Sequence, residues 1–401
     1  MLRHILTIAL YNGFMLKKVA ILAFGLLSGT FIAIFLIVYV FKLSINAEVG
    51  SLLKNRQKHV VLGFLPYWLA AEDEKDYSPY INNIAYFGLI IGPDGSISKL
   101  TSPTETEPGW LALKLNKIQR ILKEAQTKNI NKSLVVFSGD QESIEELMGN
   151  PEVHAKKLVG ELSPLITKYG FGDLNLDIES FSHASESARL SFAKFTKTVK
   201  SELQKTHKSV TLSIDVSPTA LIKPYLINVS AIAPYVDKVI FMTYDFHYQG
   251  SYVTGAVSPV NGAFDTAEFD VETSIKEALK VLPKEKIILG APLYGYQWEA
   301  LADSPNSAVI PGSGITASNK RVEEILKNCA TCEAKFDPVS KESYLIYKDQ
   351  ETGTYIQIFY PDKKAIEEKI KIVKKYEIGG IALWALGYEG KDILDPLKDL
   401  K

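Results

Sequence analysis

Four polar side chains spaced two apart, Asp173, Asn175, Asp177 and Glu179, stand in the stretch GFGDLNLDIES at residues 170–180 and carry groups able to do acid and base chemistry. Side chains on a β-strand alternate between faces, so these four share one side while Leu174, Leu176 and Ile178 share the other. Two carboxyls at i and i+2 lie about 7 Å apart at the backbone and can approach through their side chains. Repulsion between them raises the pKa of one, which keeps it protonated near neutral pH, as a general acid requires. A half-exposed strand with its polar side in water gives the same alternation, so the surrounding elements have to decide.

Those elements alternate regularly. Strands are expected at 60–66, 83–89, 133–138, 173–179, 210–216, 236–243, 287–293 and 379–386. Amphipathic helical spacing covers 110–128, 142–149, 152–169, 184–205, 271–282 and 363–376. Apolar strands alternating with such helices argue for a parallel sheet with right-handed crossovers, and eight units argue for a closed (β/α)₈ TIM barrel of the α/β class over residues 59–401. A doubly wound open sheet is the other solution, but it announces itself with a glycine-rich phosphate turn after the first strand, where this chain has GFLPYW. From 296 to 362 the rhythm breaks into shorter β-like pieces and one helix at 317–327, too long for a plain connection, and this reads as a small α+β insertion between strands seven and eight at the barrel rim.

Composition narrows the classes. Formal net charge is −1 and 46% of residues are hydrophobic, which gives no polyanion-binding surface and no disordered chain. The six histidines show no metal-ligand spacing, and neither a Walker loop nor a GxGxxG fingerprint occurs, so no metal, no nucleotide cofactor and no nucleic-acid partner is expected. Residues 19–41 form an apolar run of bilayer-spanning length without a charge. Arg3, Lys17 and Lys18 precede it and only Lys42 follows closely, which places residues 1–18 in the cytoplasm and the large domain outside, beyond a polar stalk at 42–58. The run exceeds the apolar core of a cleavable signal peptide, so an uncleaved single-pass anchor is the expectation. Met15 followed by LKK reads as a fresh start, with residues 1–14 an over-extension of the gene. Cys329 and Cys332, as CATC within the insertion, are read as a local disulfide closing a turn in an oxidising compartment, adding little stability because its loop is short.

In a closed parallel barrel both strand faces are covered. The apolar residues of 173–179 must then meet the helices, and the polar row must face the interior, with Glu179 last, at the C-terminal mouth where barrel active sites lie. Other strand ends supply aromatic company: Phe64, Tyr67 and Trp68 at the first, Tyr244 and Asp245 at the sixth, Tyr294 and Tyr296 at the seventh, and Trp384 within the eighth. Central carboxylates walled by aromatic rings suit a pyranose, which has an apolar face to stack and a rim of hydroxyls to hydrogen-bond.

At these residues the chain resembles glycoside hydrolase family 18, the chitinase-like hydrolases. FGDLNLDIE is similar to that family's catalytic strand, MTYDF, GAPLYGY and GGIALWALG to the motifs of its sixth, seventh and eighth strands, and the likeness runs over roughly residues 58–400. In tone it is closer to peptidoglycan-active and spore-cortex-type members. The resemblance implies that Glu179 is the general acid, that Asp177 orients the substrate's 2-acetamido group and stabilises an oxazolinium-like intermediate, and that Tyr244 holds the acetamido oxygen. Asn175, Asp245, Trp384, Tyr294, Tyr296, Tyr67 and Phe64 are then expected to bind substrate. Hydrolysis of a β-1,4 bond beside an N-acetylglucosamine would proceed with retention, without an attacking enzymic carboxylate. A monomer acting on an N-acetylated polysaccharide or oligosaccharide is expected. The alternative is a non-hydrolytic, lectin-like sugar binder on the same barrel, and the presence of Glu179 argues for the enzyme.

Two departures stand out against that pattern. Gly172 and Asp173 occupy the places of Asp then Gly, and Asn175 replaces the middle aspartate. With a neutral Asn175, Asp177 loses a like-charged neighbour and is expected to stay ionised over a wider pH range, shifting the acidic limb of activity.

Overall fold

A computed structural model describes residues 59–70, 75–263, 267–330 and 332–401. The apolar run 19–41, the stalk 42–58 and residues 1–14 lie outside the described residues. Among the described residues no helix is long and apolar enough to cross a membrane.

Eight parallel strands close a barrel: β1 (Val60–Pro66), β2 (Asn83–Ile90), β3 (Asn131–Ser138), β4 (Asp173–Ile178), β5 (Thr211–Val216), β6 (Lys238–Phe241), β7 (Ile287–Pro292) and, after an insertion, β13 (Gly380–Trp384). Neighbours in space follow chain order, and β13 returns to pair with β1 through Val60↔Gly380 to Gly63↔Leu383. The main helices are α1 (Pro108–Ala112), α2 (Asn116–Thr127), α3 (Gln141–Gly149), α4 (Pro151–Tyr169), α5 (Glu186–Thr206), α6 (Val271–Ala278), α7 (Asn319–Asn328) and α8 (Lys363–Tyr376).

Sequence explains how β4 is delivered. The helix α4 opens on Pro151, whose missing N–H is no loss in a first turn, and stops at Gly170, which takes a left-handed φ of +65°. Three residues later β4 begins. On the far side Ser185 caps α5 by accepting from the Ala188 amide at 3.2 Å, and Phe192, Phe195, Val199 and Leu203 form the buried stripe of that helix. Leu174, Leu176 and Ile178 join this stripe in the core between barrel and helices. Each large apolar side chain so buried contributes about 1.5–3 kcal/mol. The polar row therefore points inward, as the alternation requires.

The helical pattern at 110–128 is interrupted. Gly109 packs so closely on β2 that a Cβ there would sit 1.8 Å from the Gly88 carbonyl, and Tyr86 donates to the Gly109 carbonyl at 2.7 Å. That pins α1 to the sheet, and the chain turns through an extended Leu115 before α2 begins. The sixth strand is also shorter than its apolar run, because Thr243 leaves the ladder and bonds sideways to the Gly290 carbonyl at 2.6 Å.

The insertion is a five-stranded antiparallel sheet: β8 (Tyr294–Ala300), β9 (Ile315–Ser318), β10 (Lys335–Asp337), β11 (Glu342–Lys348) and β12 (Tyr355–Tyr360), in the order β9-β8-β12-β11-β10. It begins at Tyr294, earlier than the expected 296, so Tyr294 and Tyr296 belong to its first strand and do not close the seventh barrel strand. Cys329 and Cys332 form a disulfide just after α7. The insertion is fastened behind β6 and β7 by a buried polar chain: Glu342 accepts from the Ser258 amide at 3.1 Å, Lys369 of α8 donates to the Ser258 carbonyl at 2.9 Å, and the Ser258 hydroxyl donates to the Thr243 carbonyl at 2.5 Å.

Candidate active site

Inside the barrel the apolar positions cluster as Leu62, Phe64, Ala85, Phe87, Val135, Ile240, Ile288 and Ala382, contributed by every strand except β4 and β5. Those two strands fill their share with Asp173, Asn175 and Asp177 facing Thr211, Ser213 and Asp215. From the bottom, Thr211 donates to Asp173, and the Ser213 hydroxyl donates to the other oxygen of Asp173 at 2.6 Å. Lys238 reaches Asp173 at 3.4 Å. One level up, the Asn175 amide donates to Ser213 at 3.1 Å and to Asp215 at 2.9 Å. Above that rung stand Asp177 and Glu179. The Glu179 amide still pairs with the Ser138 carbonyl at 2.8 Å, which holds its side chain at the mouth after the strand itself has ended.

A cleft of about 870 Å³ opens there, and Asp177, Glu179, Asp215, Tyr244, Asp245, Tyr294, Tyr296 and Trp384 all line it. Further out Phe181 and Tyr248 present exposed rings. Among the described residues no lysine or arginine lines it. Tyr244 reaches the centre because Gly290 has no side chain: a Cβ there would stand 2.5 Å from the Phe241 carbonyl and 3.1 Å from the Tyr244 ring. Asp245 adopts a left-handed φ of +59° and accepts from the Tyr294 phenol at 2.5 Å and from the Tyr296 phenol at 3.0 Å. The Trp384 ring lies 4.9 Å from Phe87, edge to face, and 5.5 Å from Phe64, and it is partly exposed in the cleft it lines.

Of the residues marked by sequence, Asp177, Glu179, Tyr244, Asp245, Tyr294, Tyr296 and Trp384 meet in this cleft. Asn175, fully buried, does not line it and instead ties two strands together. Phe64 is buried beneath Trp384, and Tyr67 packs edge-on against Trp68 and the barrel core; neither is among the lining residues.

Electrostatics follow from the burial. Asp177 is 3% exposed, and burial first, then the charges of Asp215 and Glu179 and its hydrogen bond to Glu179, hold its pKa well above the usual carboxylate value. Burial and Asp245 raise Glu179, against the opposing bond from Asp177. Burial raises Asp215 too, partly offset by the Asn175 amide. Tyr244 is pushed far up by burial and by the surrounding carboxyls, so it is a phenol that can donate. Against the expectation that a neutral Asn175 leaves Asp177 ionised over a wider range stand the burial of Asp177 and the like charge of Asp215 on the neighbouring strand. Asp215 is the cleft-lining carboxyl that sequence reasoning missed. The signal was present, since Thr211, Ser213 and Asp215 alternate with Leu212, Ile214 and Val216 just as the polar row alternates on β4.

A pair of buried carboxyls with raised pKa values at the mouth of an open cleft, a neutral phenol beside it and a tryptophan face opposite can protonate a leaving oxygen while a ring is stacked in place. The sequence family described as Glycosyl hydrolases family 18 matches residues 37–389. The chain belongs to that family and is a glycosyl hydrolase. The cortical fragment-lytic enzyme of Bacillus subtilis is 22% identical over 321 residues, which cover 78% of this chain and 66% of that relative, so the chain spans about two thirds of its length. Among solved structures, the Bacillus cereus spore cortex-lytic enzyme SleL superposes with a TM-score of 0.64 at 20% identity, covering 84% of this chain and 73% of the other. The Ostrinia furnacalis group IV chitinase superposes with a TM-score of 0.72 at 17% identity, covering 85% and 99%. At these identities the two structures speak to the shared fold alone.

Proposed function

We propose that this chain is a membrane-anchored glycosidase that hydrolyses β-1,4 bonds next to N-acetylglucosamine in chitin-like or peptidoglycan glycans, with retention through substrate-assisted catalysis. The observation that carries the reading is the convergence of buried Asp177, Glu179 and Tyr244 on one cleft at the mouth of the barrel. Glu179 protonates the glycosidic oxygen and later deprotonates the incoming water. Asp177 turns to the acetamido nitrogen, and the Tyr244 phenol donates to the acetamido oxygen as it attacks the anomeric carbon. Trp384 is the floor for the sugar at the cleavage point, while Asp245 is held by its two phenols to accept from substrate hydroxyls. Among the described residues no cationic side chain lines the cleft, which favours an uncharged N-acetylated stretch of glycan at the cleavage point. The run 19–41 anchors the chain, with the barrel outside the cytoplasm as a monomer.

The test is to offer chito-oligosaccharides and purified peptidoglycan to the barrel and to its Glu179→Gln variant, and to identify the new ends. Cleavage after N-acetylglucosamine by the native protein alone is expected; equal product from both forms ends the acid assignment. Fractionation of cells with an antibody to the barrel checks the anchor, which predicts membrane association and sensitivity to external protease.

A further inference from the structure

The mechanism above leaves one buried carboxylate in the centre without work. Asp215 is 3% exposed, lines the cleft with Asp177 and Glu179, and comes one inward step above Ser213 on β5 as Asp177 comes one inward step above Asn175 on β4. Burying a third carboxyl beside two others costs stability unless it has partners or a task. Its Oδ1 has one strong donor, the Asn175 amide, whose other hydrogen goes to Ser213. Ser213 in turn spends its own hydrogen on Asp173, which fixes the direction of the chain of bonds. Asp177 is placed otherwise: among the described residues nothing donates to its Oδ1. An amide donor favours the ionised form of the group it faces, and an oxygen with no donor favours the protonated one.

We propose that Asp215, oriented by the Asn175 amide, is a positioning residue whose fixed negative charge keeps one proton shared between Asp177 and Glu179. It is the groups around it that give the charge this leverage. From β4 come Asp173 below, then Asp177 and Glu179; from β6 comes Lys238, engaged by Asp173 at the foot of the barrel; beyond β6 come Tyr244, a neutral phenol, and Asp245, occupied by two phenols. Among the described residues no lysine or arginine lines the cleft to cancel it. With Asp215 ionised, full ionisation of the pair would put three negative charges in one buried site. The pair therefore retains its proton into the neutral range, where Glu179 needs it. Asn175 and Asp215 form one unit, an amide on one strand and a carboxylate on the next.

This inference rests on the reading of Glu179 as the acid, and the experiment separates the two. In purified full-length protein without substrate, the protonated-carboxyl infrared band is followed against pH for the native chain, Asp215→Asn, and the exchanged double variant Asn175→Asp/Asp215→Asn. The pH dependence of kcat/KM on chito-oligosaccharides is measured in parallel, and folding is checked by circular dichroism. In Asp215→Asn the shared proton is lost about one pH unit lower, and the alkaline limb of kcat/KM moves down by the same amount. In the double variant, which restores one amide facing one carboxylate, both return toward the native position. A folded Asp215→Asn with an unmoved band overturns the proposal, as does a double variant no nearer the native titration than the single one. If Asp215→Asn does not fold, the double variant alone decides by the same criterion; failure of both to fold also overturns the proposal, because a charge that only places a proton is dispensable for folding. An infrared shift in a protein that cleaves no glycan would sink the proposed function and leave the role of Asp215 standing.

Discussion

Ile240 and Asp215 are partners across adjacent strands inside the barrel, both buried, and they stand for two halves of its interior. Ile240 belongs to the apolar cluster that six strands build, where each side chain is held by contact with the next. Asp215 belongs to the polar wedge on β4 and β5, where order comes from hydrogen bonds of fixed direction. That wedge itself changes with height. At its foot Asp173 has two hydroxyl donors and Lys238; at its mouth three carboxyls crowd together with one amide among them. The difference teaches that the foot is built to be satisfied and the mouth to be frustrated: repulsion that would be a defect in a core is what keeps an acid protonated.

Substitutions at the two halves should therefore fail in different ways. Glu179→Gln is expected to lower kcat by about 10³-fold with little change in melting temperature, since general acid catalysis is worth about 10² to 10⁴. Ile240→Ala, on the strand beside Asp215, should do the reverse, costing about 3 kcal/mol in denaturant unfolding because the rigid cluster cannot close over the cavity. Should the Ile240 variant lose kcat at unchanged stability, the division between the halves is wrong. Tyr244→Phe sharpens it further. Removing one preorganised donor at a developing charge is expected to cost about 10²-fold in kcat, with KM much less affected and the fold intact, since the ring still packs over Gly290.

How much of this is legible in the sequence follows the same divide. Apolar alternation marks all eight strands, and closure of the barrel turns the row at 173–179 inward, which locates Glu179 at the mouth. Tyr244, Asp245 and Trp384 follow from their positions at strand ends. Asp215 escapes attention because a lone carboxylate in VTLSIDV lacks the repeat of DLNLDIE, although Thr211 and Ser213 complete the same inward row. The burial of Phe64 under Trp384, and of Asn175 within the wedge, depends on ring and amide partners from strands distant in sequence. Likewise the start of the insertion at Tyr294 depends on the pairing of Tyr294 with Ser318, which no local pattern announces.

The smallest expected effect is the one that tests frustration directly, through the dependence of stability on pH. Asp177, Glu179 and Asp215 all have folded pKa values above their ordinary ones, burial being the first cause for each. Between the unfolded value and the raised folded value the native state binds more protons than the unfolded state. Their contribution is thus fully present below about pH 4 and is lost as pH rises through the folded values. Carboxyls with the opposite sign exist elsewhere: Asp237 is lowered by Lys200 and the Leu212 amide against its burial, so it contributes above its unfolded value and loses that contribution as pH falls. Comparing a variant with the native chain at each pH cancels such terms. Asp215→Asn removes one of the three raised groups and relieves the other two. Its unfolding free energy should match that of the native protein near pH 4 and exceed it increasingly toward neutral and alkaline pH, by an amount on the order of 1 kcal/mol. A variant less stable than the native chain across the whole range would mean that the Asn175–Asp215 bond holds the barrel together, and the mouth would then be built on the same terms as the foot.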